Sequence, residues 1–315
     1  MTSFHPPLRP TPSHGIPIPA TARDTRAAEH VSTTFPLTAS QVSGLVRIAL
    51  QEDEASHDVS TLATVMSDRH VRGSIVAREP GVVAGLELVM ETFRQMDSSV
   101  SLRIEAEDGS RVDAGTSVLF MNGHARGILS AERTALNYLQ HLSGIATLTN
   151  RFVTAVEGTG AQILDTRKTL PGWRALEKYA VRAGGGVNHR MDLRSAVLIK
   201  DNHLAAIGGD IRLAVSRSRE LAARGAAVEV ECDTVAQVET ALEAGADIIL
   251  LDNMSPAMLR EAVALCSGRA ITEASGGITL ETVRSIAETG VNRISVGALT
   301  HSAPALDLGL DFDNL

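Results

Sequence analysis

Cysteine is nearly missing from this chain: 315 residues contain only Cys232 and Cys266. Two isolated thiols make neither a disulfide framework nor a metal-binding cluster, so the expected setting is a reducing compartment, the cytosol. Aromatic residues reach only 3%, too few for the stacking platforms that hold single-stranded nucleic acid. Basic residues are the minority, 29 Lys and Arg against 37 Asp and Glu, for a net charge of −8. That balance excludes the broad basic surface that nucleic-acid backbones require. No apolar run is long enough to span a bilayer, and the first residues lack the charged-then-apolar order of an export signal. The 44% hydrophobic content that remains suits a globular chain with one large domain or two smaller ones.

Residues 1–36 are rich in Pro, Ser, Thr and His, and no helical or strand period survives the prolines. They read as a disordered or loosely attached arm. Order is expected from Leu37, with Thr38 or Ser40 capping a helix whose apolar face is Val42, Leu45, Val46, Ile48 and Ala49. Strand-like segments follow at 71–79, 100–109 and 116–125, with the helix LELVMETFRQM between the first two. This irregular mixture predicts a small α+β domain over 37–145. A long helical stretch starts at Ser130, its candidate cap, and Gly144 is expected to bend or break it.

From about residue 160 the pattern changes. Short apolar runs at 161–165, 196–200, 226–231, 246–252, 270–275 and 292–297 alternate with amphipathic segments. Such runs signal parallel strands buried on both faces, and six or seven βα units suggest a (β/α) barrel over 146–300. The helical segments 211–225, 235–245 and 280–290 each close on glycine, the usual residue past a helix end.

In a parallel barrel the strands' C-terminal ends open on one face, where the chemistry sits. Those ends carry Asp165 to Lys168, Lys200, Glu231, Asp252, Ser275 to Gly277 and Gly297. Within this acidic protein, Arg167, Lys168, Arg174, Lys178, Arg182, His189, Arg190 and Lys200 crowd into one short stretch. Arg174, Lys178 and Arg182 recur at helical spacing and read as a solvated face. The others flank strands or turns and are the better candidates for binding carboxylate or phosphate. The glycines of GGGVNHR fit close approach to a ligand or to another segment, or a flexible loop, equally well. Ser275, Gly276 and Gly277 stand between a strand and the predicted helix 279–289, where backbone N–H groups could cradle a phosphate. Glu231 and Asp252 have three available roles: holding Mg²⁺, binding sugar hydroxyls or accepting protons. Cys232 reads as a small buried residue.

The segments DTRKTLPGWRALEKYAVRAGGGVNHRMDL, VLIKDNHL, VEVECDT, IILLDNM, EASGGIT and VGALTHS, with SAERTALNYLQHLSGIAT upstream, closely resemble the quinolinate phosphoribosyltransferases. The resemblance runs from about residue 37 to the C-terminus in matching order. It implies an α/β fold, with an N-terminal α/β sandwich domain to which 301–315 returns and a C-terminal open (β/α) barrel of about seven strands. It implies transfer of phosphoribosyl from phosphoribosyl pyrophosphate to quinolinate with decarboxylation, Mg²⁺ as cofactor, and a homodimer in which Arg133 enters the partner's site. By the same resemblance Thr166, Arg167, Lys168, His189 and Arg190 take quinolinate. Lys200, Glu231 and Asp252 handle phosphoribosyl pyrophosphate and its metal. Ser275, Gly276, Gly277, Val296, Gly297 and Ala298 hold the 5′-phosphate. Lys168, Glu231 and Asp252 are the expected catalytic set. Three rival readings start from the same residues: an imine-forming aldolase built on Lys200, a close relative with an altered substrate (another type II phosphoribosyltransferase or a molybdenum-associated homologue), and an anion-binding barrel without turnover.

Overall fold

The computed structural model describes residues 34–222 and 225–313. Up to residue 33, the expected arm lies outside the described residues. Along the chain run α1 (Ala39–Glu52), α2 (Val59–Thr64), β1 (His70–Ala77), β2 (Gly81–Val82), α3 (Leu86–Met96), β3 (Ser101–Ile104), β4 (Arg111–Val112), β5 (Ser117–His124) and α4 (Ala125–Ala155). Next come β6 (Gln162–Leu164), α5 (Arg174–Ala183), β7 (Val197–Ile199), α6 (Asp201–Ala206), α7 (Ile211–Leu221), β8 (Val228–Cys232), α8 (Val235–Glu243), β9 (Ile248–Asp252) and α9 (Pro256–Cys266). The chain closes with β10 (Ile271–Ser275), α10 (Val283–Ala287), β11 (Arg293–Ser295), α11 (Ala298–His301) and β12 (Leu308–Phe312). Among the described residues, no helix is long and apolar enough to cross a membrane. The described residues form two compact units, 34–188 with 278–313, and 189–277.

In the first unit an antiparallel sheet runs in the order β12-β1-β5-β3. Alternate residues of β1 are buried, as a sheet covered on one face requires. Val71, Ile75 and Ala77 of β1 share a core with Val89 and Phe93 of α3 and with Ile128, Ala135 and Leu139 of α4. The C-terminal β12 lies against β1, with Ile75 opposite Leu310. Helix α1 is capped by Thr38, whose hydroxyl accepts the Gln41 N–H while the Gln41 side chain accepts the Thr38 N–H. Its buried stripe is Val42, Val46 and Leu50. Ile48, expected on that face, is 62% exposed, because an i, i+4 stripe leaves position 48 on the far side.

Two expectations about α4 are corrected. The helix starts at Ala125, so Ser130 lies inside it, and the Ser130 hydroxyl donates to Asp58 Oδ2 at 3.1 Å. It also runs unbroken through Gly144. The glycine serves packing rather than bending: a Cβ there would lie 2.1 Å from the Pro304 carbonyl oxygen.

The same unit holds a parallel pair, β6 beside β11, with Leu164 opposite Ser295. The unit 189–277 carries four parallel strands in the order β7-β8-β9-β10, interleaved with α6 to α9. The residues of β8, β9 and β10 are buried almost throughout, the burial of strands covered on both faces. The chain is therefore α/β: an antiparallel N-terminal sheet domain followed by barrel-like β/α architecture, with six parallel strands among the described residues.

Candidate active site

The unit 189–277 presents its strand ends as a row. Lys200 follows β7, Glu231 is the penultimate residue of β8, Asp252 ends β9 and Ser275 ends β10, directly opposite Asp252. Lys200 Nζ lies 3.1 Å from Glu231 Oε2, with the two side chains 48% and 11% exposed. Lys200 is thus a wet, ion-paired ammonium, unlike the desolvated amine that imine formation requires, which argues against the aldolase reading. Asn253 accompanies Asp252 in a way the sequence did not signal. It takes a left-handed φ of 52°, its Nδ2 donates to Asp252 Oδ2 at 2.6 Å, and its N–H donates to the Ser275 carbonyl at 2.9 Å. A Cβ on Gly276 would fall 2.2 Å from Asn253 Oδ1, and φ there is +96°, so only glycine fits. Gly277 has φ +58° and open space around it. The predicted helix 279–289 is shorter than expected: α10 begins at Val283. The amides of Gly276 and Gly277 therefore belong to a loop and not to a helix N-terminus.

Beneath this row lies a polar layer. Glu229 and Glu231, two residues apart, share one face of β8, as Glu273 and Ser275 share one face of β10. Glu229 and Glu273 are 1% and 0% exposed. His189 Nε2 sits 3.2 Å from Glu229 Oε2 and 3.4 Å from Glu273 Oε1, and its Nδ1 accepts the Arg190 N–H at 2.8 Å. An accepting Nδ1 assigns the ring hydrogen to Nε2, which donates to the carboxylates. His189, Glu229 and Glu273 lie close enough to ligate a metal. A cation there would need the Nε2 lone pair, which the hydrogen occupies. His189 and Arg190 are both buried, and Arg190 Nη1 donates to the Ala196 carbonyl at 3.0 Å.

In the other unit, the residues after β6 meet those after β11. The Val296 N–H donates to the Leu164 carbonyl at 2.9 Å, and the Thr300 hydroxyl donates to the Lys168 carbonyl at 2.7 Å. A Cβ on Gly297 would lie 3.1 Å from Lys168 Cδ, so this glycine gives the lysine stem its room. Ala298 begins α11. Thr166 turns the chain by accepting the Lys168 N–H at 3.0 Å. Lys168 is exposed. Arg167 Nε is buried without a hydrogen-bond partner among the described residues, an arrangement that favours an arriving anion. A cavity of about 170 Å³ adjoins this segment, lined by His141, Thr169, Leu170, Thr300, His301 and Ala303. Arg133 stands exposed on α4.

The expected solvated face of α5 is corrected. Lys178 is 0% exposed and pairs with the equally buried Asp165. Burial pulls the Lys178 ammonium below its ordinary pKa, opposed by Asp165. Asn188 Nδ2 donates to Asp165 Oδ2 at 2.5 Å and to the Lys178 carbonyl at 2.8 Å, and Arg182 Nη1 donates to Asn188 Oδ1 at 2.5 Å. Of the readings open for the GGG run, close approach to another segment is the one realised. A Cβ at Gly184 would meet the Ala146 carbonyl at 2.3 Å, and one at Gly186 would meet Thr149 Cγ2 at 2.8 Å, so α4 lies against these glycines. Cys232 is buried, as expected. Burial raises its thiol pKa to about 12, which removes it as a nucleophile.

Asp165 was expected at its strand end, whereas Glu229, Glu273 and Asn253 were not singled out from the sequence. The signal available was a carboxylate inside an apolar run, as in VEVE and ITEAS; a charge there is either buried with partners or in the mouth.

The comparisons with known proteins agree with this geometry. The sequence model of the quinolinate phosphoribosyl transferase N-terminal domain matches residues 58–143, and that of the C-terminal domain matches residues 145–311. The nicotinate-nucleotide pyrophosphorylase [carboxylating] of Mycobacterium leprae is 46% identical over 272 residues, covering 84% of this chain and 95% of that one. The probable nicotinate-nucleotide pyrophosphorylase [carboxylating] of Bacillus subtilis is 41% identical over 271 residues, covering 86% and 93%. The solved nicotinate-nucleotide pyrophosphorylase of Francisella tularensis superposes with a TM-score of 0.83 at 37% identity, covering 89% of this chain and 99% of that one. With both domain models matched in order over most of its length, the chain belongs to the quinolinate phosphoribosyltransferase family.

Proposed function

We propose that this protein transfers the phosphoribosyl group of phosphoribosyl pyrophosphate to quinolinate with decarboxylation, giving nicotinate mononucleotide, pyrophosphate and CO2. The observation that carries the reading is Arg167, with a buried Nε that lacks a partner, beside the exposed Lys168 in a family-matched segment. A guanidinium fork and an ammonium suit a dicarboxylate. Thr166, His189 and Arg190 complete the quinolinate set in this reading. Ser275, Gly276, Gly277, Val296, Gly297 and Ala298 take the 5′-phosphate, which the open space at Gly277 supports.

In the reaction, the pyridine nitrogen attacks the anomeric carbon as its bond to pyrophosphate breaks. Lys200 holds the departing phosphates, while Glu231 and Asp252 face the positive charge that develops on the sugar. The new pyridinium then draws the electron pair of the C2–carboxylate bond onto C2. CO2 leaves, and C2 takes a proton. Lys168 binds the charge of the substrate carboxylates through these steps.

Glu231 and Asp252 are also the residues that would hold Mg²⁺. Their hard oxygen donors fit a cation bound through one or two carboxylates together with substrate phosphates, and the bound ion would offset pyrophosphate charge. Arg133, exposed on α4, serves the partner's site in a homodimer. Mixing inactive Arg133→Ala and Lys168→Ala subunits should then restore activity through the one intact site of each mixed dimer, and mixtures that stay inactive would overturn the sharing. Cytoplasmic location belongs to the same reading, supported by two thiols that form no disulfide and tested by fractionation.

The deciding assay supplies purified protein with phosphoribosyl pyrophosphate, Mg²⁺ and either quinolinate or nicotinate. Pyrophosphate and CO2 released only with quinolinate are expected. Release with nicotinate alone would overturn the substrate, and no release in either tube would overturn the transferase.

A further inference from the structure

Helix α5 touches the cationic segment 166–170 at several separate points, and its charged side chains are the ones that do so. Arg174 Nε donates to Thr169 Oγ1 at 3.1 Å, and its Nη2 reaches the Arg167 carbonyl at 3.5 Å. Glu177, 0% exposed, accepts the Leu170 N–H at 3.1 Å on one oxygen and faces His141 Nε2 at 3.0 Å on the other. One turn beyond Arg174, Lys178 pairs with Asp165, the residue directly before Thr166, both at 0% exposure. Asn188 closes the node by bonding Asp165 and the Lys178 carbonyl. A single buried node therefore anchors the starting point of the Thr166–Lys168 segment.

We propose that Lys178 is a positioning residue: its buried pair with Asp165, tied to Asn188, sets where Thr166–Lys168 leaves the core, and thereby sets quinolinate affinity. The inference rests on the functional reading above. Stability alone is a weak reason for such a pair, because replacing both buried charges with neutral groups of similar size is often harmless, whereas removing one strands the other. A lysine this deep touches no substrate, so its effect on binding runs through the segment it holds.

The test separates stability from positioning. Full-length enzyme is made as wild type, Lys178→Met, Asp165→Asn and the double variant. Urea unfolding is measured together with KM for each substrate and kcat. The single variants should unfold at lower urea than wild type, and the double variant should recover most of that loss. Its KM for quinolinate should still be at least about tenfold above wild type, with KM for phosphoribosyl pyrophosphate within about threefold (a tenfold change is about 1.4 kcal/mol). A double variant with wild-type stability and wild-type quinolinate KM would overturn the proposal. Asn188→Ala keeps the ion pair and tests the same node if the double variant fails to fold. It should raise quinolinate KM in a folded protein, and an unchanged KM would overturn the node. A wild-type enzyme that turns over while these variants match it refutes only the positioning role. A wild type without turnover refutes the functional reading, and the positioning role falls with it.

Discussion

Two buried ionic clusters sit behind the candidate substrate residues, and they are built differently. Behind Thr166–Lys168, the Lys178 ammonium pairs with the Asp165 carboxylate, Asn188 donates to that carboxylate, and the Arg182 charge acts on both. In the unit 189–277, two carboxylates share a single imidazole N–H. In the first cluster two opposite buried charges offset each other's desolvation, so removing one leaves a buried charge behind. The second spreads its bonding over a neutral ring and two acids, so losing one acid leaves the ring with a partner. Burial alone therefore does not predict what a substitution costs; the number of partners left behind does.

The largest expected effect comes from breaking the Lys178–Asp165 pair. Lys178→Ala should lower unfolding stability by about 3–5 kcal/mol, read from urea melts, and a loss below about 1 kcal/mol would erase the contrast between the clusters. Next is the exposed Lys168. Lys168→Ala should cost about 10²–10³-fold in kcat/KM, the scale for removing one charge-stabilising donor, while stability stays within about 0.5 kcal/mol of wild type. A destabilised but fully active Lys168→Ala would invert the reading. Smaller still is Glu229→Gln, which keeps an acceptor for His189. Its stability should change by no more than about 1.5 kcal/mol, the scale of one net hydrogen bond, and a loss matching that of Lys178→Ala would show that the second cluster behaves like the first.

The smallest effect concerns Cys232, on the strand face opposite Glu231. Burial holds its thiol neutral, with the pKa raised to about 12 from an ordinary 9.0. The unfolded thiol ionises first as pH rises, so the stability from this burial is present below pH 9 and declines above it. A thiol reagent should leave the native enzyme essentially unmodified at pH 8, and rapid labelling without unfolding would contradict the burial.

Strand ends were the most legible feature of the chain. The apolar runs ending at Asp165, Lys200, Glu231, Asp252 and Ser275 announced parallel strands, because only strands covered on both faces are apolar throughout. The helix spacing of Arg174, Lys178 and Arg182 was equally plain, but periodicity says that residues share a face and not what that face meets. Gly144 misled, and the GGG run stayed ambiguous, for a related reason. A glycine that permits close packing and one that bends a chain look alike in sequence, and the difference lies in a carbonyl from a distant segment, Pro304 or Ala146.

The sequence by itself determined the class of the fold, the order of its elements, the family and the residues at the strand ends, since these follow from local periodicity and ordered motifs. Tertiary structure alone decided which charges are buried, which hydrogen His189 carries and why α5 holds the Arg167–Lys168 segment. Those outcomes depend on partners far apart in the chain, such as Glu229 with Glu273, where desolvation and hydrogen-bond geometry outweigh any local preference.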